Sequence, residues 1–343
     1  MAYSSITKPS DYFNTVIYSG SNSNQSITGV GFQPDWVWIK NRSSTPSHML
    51  NDAVRGAGKQ INSDSSNAEL DRTYFQSFDS DGFSLEGNVS DYNQNSSNFV
   101  SWNWLASNTT ASNTDGSITS TVSANTTAGF SIVSYTGNGT TNATVGHGLG
   151  LAPKMIITKN RSNATATNWS VYHASLSTNN QITLNQTDGQ NLPSPLMVTT
   201  VGASTYTLGS SRREINQSSD TYIAYCFAEK KGYSKFGSYT GNGNADGTFV
   251  HTGFKPAFLL WKKSSGSGTN WVIFDNKRDT HNKVDNYLIP NLALAEGNSD
   301  DCDFLSNGFK WRSTGGGSNG SSDTFIYMAF AENPFVGNDS GTA

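Results

Sequence analysis

Short apolar runs, separated by long polar stretches rich in turn residues, set the pattern of this chain. WVWIK (36–40), MIITK (155–159) and FLLWK (258–262) are five residues long, β-branched or aromatic, and flanked by turn residues. That signature predicts strands, and because both of their faces are apolar the strands belong inside a sandwich. A second set of runs, FVSWNW from Phe99, YIAYCF from Tyr222 and FIYMAF from Phe325, splits by parity. Val100-Trp102-Trp104, Ile223-Tyr225-Phe227 and Ile326-Met328-Phe330 form one bulky face, predicted to lie against the core. Phe99-Ser101-Asn103, Tyr222-Ala224-Cys226 and Phe325-Tyr327-Ala329 form the other face, whose small residues admit a closely approaching layer. A one-residue slip would exchange the two faces, so the pattern fixes register.

These runs recur in order. Each copy reads Tyr, turn residues, Gly, an apolar residue, Pro, an apolar run and Lys; Pro34 to Lys40, Pro153 to Lys159 and Pro256 to Lys262 share one offset. The period of about 100 residues suits a domain better than a solenoid motif. The expected architecture is all-β: three tandem antiparallel β-sandwich repeats, jelly-roll or concanavalin-like, in a row. Residues 16–106, 129–232 and 233–335 are the repeats, 1–15 an N-terminal arm, 107–128 a Ser/Thr/Asn-rich linker and 336–343 a polar tail. Asp81-Gly82 and Asn307-Gly308 are hairpin signals, with Leu208-Gly209 the nearest candidate in the second copy. Short helical pieces are expected only near 65–72 and 293–296.

Composition then narrows the function. Charged residues are 14% of the 343 and aromatics 12%, giving a neutral, polar surface on a chain that can fold. The net charge of −4 and the absence of a Lys/Arg cluster argue against nucleic acid. No run approaches a membrane span, and the N-terminus has no signal-peptide pattern, so assembly in the cytoplasm without secretory export is expected. The two cysteines lie in different copies, which excludes a disulfide framework within one.

Candidate chemistry is sparse. GHGLGL at 146–151 precedes a strand rather than a helix, so it is no phosphate loop. His147 and His251 sit equally far from the tyrosine of their copy, yet Val30 takes that place in the first, which favours packing or turn chemistry. His48 and His281 are solitary and expected to be exposed, and Cys226 fills a slot for a small side chain. Asp79-Ser80-Asp81 and Asp300-Asp301-Cys302-Asp303 lack calcium-loop spacing and read as solvated turns. No catalytic, cofactor-binding or metal-binding residue is assigned. Trp169 with Tyr172, and Trp271, are the one set of glycan-stacking candidates, since flat aromatic faces suit pyranose rings; their recurrence equally describes a core strand.

Taken together, SYTGNG, GHGLGLAPKMIITKNRS, YIAYCFAEKKGYSKFGSYTGNG, GFKPAFLLWKK and FIYMAFAENPF resemble a repeat family of marine bacteriophage (cyanophage-type) virion structural proteins. The resemblance covers essentially the whole chain. It implies a non-enzymatic component of the particle exterior, of tail-fibre, receptor-binding or head-decoration type, that contacts other virion proteins and host-surface polysaccharide, with homotrimers common among such proteins. It carries no catalytic residues. A dedicated attachment domain of the tail-fibre kind is missing before the first copy, so either residues 1–15 anchor the chain or the body decorates a surface directly. An appendage enzyme that degrades polysaccharide and a free carbohydrate-binding protein are the alternatives.

Overall fold

The computed structural model describes residues 4–162 and 167–335, with backbone alone for residues 300 and 301. The 336–343 tail lies outside them. The architecture is all-β and antiparallel, and its one helical element among the described residues is a 3-10 turn at Pro9–Asp11. The segments 65–72 and 293–296 form no helix. Residues Leu70–Asp71 instead pair as a strand with Lys59–Asn62.

Three large sheets share one motif of four strands. An opening strand (Phe13–Ser19, Phe130–Thr136, Ser234–Thr240) pairs with a closing strand (Asn98–Trp104, Thr221–Phe227, Thr324–Pro334). The closing strand pairs with a lysine strand (Trp36–Asn41, Met155–Asn160, Phe254–Lys263), and that with a return strand (Met49–Asp52, Ser170–His173, Trp271–Asp275). A smaller sheet of three, three and four strands covers one face of each. Two of its hairpins turn at Ser80-Asp81 and Ser306-Asn307, with Gly82 and Gly308 of the two sequence signals the first paired residues after the turn. In the second unit the turn is at residues 202–204 and not at Leu208-Gly209, where Leu208 is still paired with Ala143. The segment 107–128 is no free linker. Ala111–Asn113 and Ser120–Asn125 form a hairpin that widens the second large sheet to seven strands.

The parity of the closing strands decides how the units meet. Their small face lies toward the covering sheet: Ala224 and Cys226 pack with Val145, Tyr206 and Leu208, and Tyr327 and Ala329 with Phe304, Phe309 and Trp311. Their bulky face turns the other way, and residues from all three units, among them Trp36, Trp102, Trp104, Tyr225, Phe227, Phe258, Met328 and Phe330, form one continuous buried cluster. Trp36 stacks on Tyr225 of the second unit at 4.2 Å between centroids, and Phe13 lies 5.5 Å from Phe258 and 5.0 Å from Phe330 of the third. The sandwiches therefore do not stand in a row. They close around a shared aromatic core, because an apolar face this bulky has to be covered and each unit covers those of the other two.

The arm belongs to this body. Ser4, Ile6 and Pro9 are buried, Ile6 within the shared core, and a side chain at Gly232 would meet Ser4 Cβ at 2.7 Å. Residues 4–15 are thus packed onto the core.

Candidate functional site

Where the units meet, equivalent positions build equivalent junctions. The return strands place Asp52, His173 and Asp275 opposite Trp36, Met155 and Phe258. At the first junction Asp52 holds the guanidinium of Arg55 and accepts a hydrogen bond from Tyr225 Oη of the second unit at 2.8 Å. At the junction of the third unit with the first, Asp275 Oδ2 accepts from Arg278 Nε at 2.6 Å and from Trp102 Nε1 at 3.0 Å. The Arg278 guanidinium also lies over the Trp102 ring, 5.8 Å from its centroid.

A carboxylate closes each of these two networks. Glu69 joins Arg55 to Arg161 of the second unit, at 3.1 and 2.9 Å, and Glu296 joins Arg278 to Arg42 of the first, at 2.9 and 2.7 Å. In both, the glutamate N–H also donates to the carbonyl of the arginine it crosses to. Burial alone would raise the pKa of Glu69; the guanidinium groups of Arg161 and Arg55 outweigh it and hold the carboxyl below its usual range.

The junction between the second and third units has neutral chemistry. His173 Nδ1 accepts from Ser175 N–H, which leaves the proton on Nε2 to donate to the Tyr327 carbonyl at 3.2 Å. Burial lowers the His173 pKa to about 4, so the ring is neutral. Gln190 stands in for the glutamates, donating its N–H to the Ser264 carbonyl at 2.9 Å. The chains approach so closely here that a Cβ at Gly189 would lie 1.9 Å from the Gly266 oxygen, so only glycine fits.

The glycan-stacking candidates lie inside these junctions. Trp169 Nε1 donates to the Asn62 carbonyl of the first unit and Trp271 Nε1 to the Thr183 carbonyl of the second, both at 2.9 Å. Both rings are buried in the shared core, so neither presents a face to a sugar. Tyr172 is half-buried, on the opposite face of its strand, against the second unit's own core. His48 takes the third of the tryptophan positions. Expected to be exposed, it is instead fully buried beside the Ile289 backbone, accepts from Trp38 Nε1 at 3.0 Å, and its Nε2 lacks a well-formed hydrogen bond.

The other flagged residues are structural. His147 is buried, with Nδ1 accepting from Leu149 N–H and Nε2 facing the Gly202 carbonyl at 3.2 Å. His251 and His281 are exposed. Cys226 is buried in its slot beside Ala224. Asp81 receives the N–H groups of Gly29 and Gly31, and Asp79 the hydroxyls of Ser77 and Ser84. Asp300 to Asp303 lie within the strand Gly297–Leu305 rather than in a turn; the side chains of Asp300 and Asp301 are outside the described residues, and Asp303 pairs with Arg312 at 2.6 Å. Among the described residues no group of three or more His, Cys, Asp or Glu converges on a metal-sized site.

Of the three lysines near the ends of the lysine strands, two also face the junctions. Lys159 Nζ donates to the carbonyls of Thr167 and, in the first unit, Ser66; Lys262 Nζ donates to those of Thr269 and, in the second unit, Thr187. Lys40 is caged by the carbonyls of Asn41, Ser44 and Pro46. Burial lowers the pKa of all three to about 8. An unfolded lysine keeps its proton to about pH 10.4, so above pH 8 the unfolded chain holds more protons at these lysines and their contribution to stability rises with pH. Burial raises the thiol pKa of Cys226 and Cys302, which acts in the opposite sense, so the lysine contribution is read from the difference in unfolding free energy between the wild type and Lys159→Met from pH 7 to 9. The slope should fall by up to about 1.4 kcal/mol per pH unit in Lys159→Met.

The surface offers features of a different kind. A groove of ≈ 670 Å³ runs over the first unit between residues 55–59 and 71–74, lined by Arg55, Gly56, Gly58, Lys59, Asp71, Arg72, Thr73 and Tyr74. Its outer wall exists because Leu70–Asp71 adds a sixth strand, which the other large sheets lack in this form. A Cβ at Gly56 would meet nothing within 4 Å, so this wall is open.

The class this defines is a closed body of three β-sandwich units, joined through a shared aromatic core and buried polar junctions. Residues 8–334 match the family model described as a domain of unknown function, DUF7483, and the chain belongs to that family. The match takes all three units together. No curated protein and no solved structure matches the chain.

Proposed function

We propose that the protein is a non-enzymatic structural component on the exterior of a bacteriophage particle, where it contacts host-surface glycan. The observation that carries this reading is where the polar chemistry goes. The buried acid, arginine, lysine and histidine side chains at the junctions are used to join the units, which favours a rigid displayed body over a catalytic cleft. The groove over the first unit is one surface open to a ligand. An uncharged polar exterior also suits high-salt water, where screening shortens the reach of ionic contacts to about 3 Å at 1 M. The resemblance of the repeated phrases to virion proteins supplies the particle; the fold supplies the rigidity. The shared core is complete within one chain, so its three units do not need further copies to cover their bulky faces.

The test is proteomics of purified particles from cells expressing the gene in its own phage. The protein is expected at structural copy number, and antibody labelling should reach it on intact particles. Absence from the particles, or release of reducing ends from host capsule by the purified protein, overturns the reading.

A further inference from the structure

We infer that the groove over the first unit binds carboxylated polysaccharide, with Arg72 reading the sugar carboxylate and Tyr74 carrying the ring. This rests on the proposed glycan contact and names its chemical class. Three observations carry it.

The first is the state of Arg72. Among the described residues its guanidinium makes a single hydrogen bond, from Nη1 to the Asp71 carbonyl at 3.1 Å, and no carboxylate pairs with it. The other cations of the lining are engaged: Arg55 is buried among Asp52 and Glu69, and Lys59 pairs with Asp71. The arginines of the junctions are locked in bidentate or shared pairs, so a solvent-facing guanidinium in this groove is an available fork for a planar carboxylate.

The second is the aromatic beside it. Tyr74 is half-buried, held edge-on against Tyr92 at 6.3 Å between centroids and packed on the first unit's own core, while it still lines the groove. A ring fixed on one side and open on the other is a stacking platform that loses little freedom on binding, unlike Trp169 and Trp271.

The third is the shape. The volume is within the range of small-ligand clefts, about 300–1,000 Å³. The open wall at Gly56 lets a polymer enter and leave along the groove. A chain carrying one carboxylate per residue would keep Arg72 occupied at any register, which suits capture of a repetitive surface polymer. Phosphate polymers would meet the same guanidinium, but the net charge of −4 and the absence of further unpaired cations in the lining disfavour a nucleic-acid backbone.

The experiment is calorimetric titration of the full chain with four probes: oligogalacturonate, its methyl ester, dextran, and a DNA duplex. Oligogalacturonate is expected to bind, the ester and dextran at least tenfold more weakly, and DNA not measurably. Arg72→Gln should weaken oligogalacturonate at least tenfold with an unchanged unfolding transition, and Tyr74→Ala should weaken acid and ester alike. Arg72 is exposed, so its variant decides the matter even if Tyr74→Ala unfolds. No binding of oligogalacturonate, equal binding by the ester or by Arg72→Gln, or tighter binding of DNA overturns the inference. Binding by a protein absent from particles would leave the groove assigned and remove the virion role; a virion protein that ignores oligogalacturonate would do the reverse.

Discussion

Asp275→Ala should destabilise the protein by about 3–5 kcal/mol, the usual cost of leaving a buried charge without its partner. Asp275 is fully buried, takes both the side chain and the N–H of Arg278, and receives Trp102 Nε1 from another unit. Its loss leaves Arg278, equally buried, with only Glu296 and the Ile273 carbonyl. Asp52→Ala should behave alike through Arg55 and Tyr225. His173→Ala, at the neutral junction, should cost less, because no charge is stranded. Urea denaturation of the three variants tests the order. The double variant Asp275→Leu/Arg278→Met should recover much of the loss, since replacing a buried pair by apolar side chains of similar volume is often neutral. A single-variant cost below about 1 kcal/mol would show the pair to be dispensable.

Trp36→Ala should cost about 3–5 kcal/mol, and the loss should be felt by the whole chain. Trp36 is buried against Trp38 and Trp104 of its own unit and against Phe130, Tyr225 and Phe227 of the second. Three sandwiches strung in a row would unfold separately, and a core variant would shift one transition of three. Around a shared core the wild type should unfold in one cooperative step, and Trp36→Ala should move it intact. Near-ultraviolet and far-ultraviolet circular dichroism, followed through the same denaturation, would report coincident transitions. Removal of residues 1–15 should lower the same transition, because Ile6 and Phe13 leave the core. Three separable transitions would contradict the common core.

The strand content, the register and the equivalence of the three units follow from local pattern. A period of two leaves no freedom about which side chains share a face, so the bulky and small faces of the closing strands could be read directly from Phe99, Tyr222 and Phe325 onward. The sequence also carries the signal of the ionic junctions, unused until the fold was known. Asp52-Ala53-Val54-Arg55 and Asp275-Asn276-Lys277-Arg278 share a spacing that His173 to Leu176 lacks. Lys40-Asn41-Arg42 and Lys159-Asn160-Arg161 likewise share an arginine that Ser264 replaces.

The tertiary structure alone decided what those faces meet. Alternation says that a face is apolar, but not whether its cover is a second sheet of the same unit or two neighbouring units. That choice depends on contacts between residues far apart in sequence, 107 positions for Trp169 to Asn62 and 88 for Trp271 to Thr183, and it sent Trp169, Trp271 and His48 to the junctions and the arm onto the core. It also left Arg72 unpaired beside Tyr74. Whether a cation is locked or available depends on which acids the fold brings to it, and composition counts them without placing them.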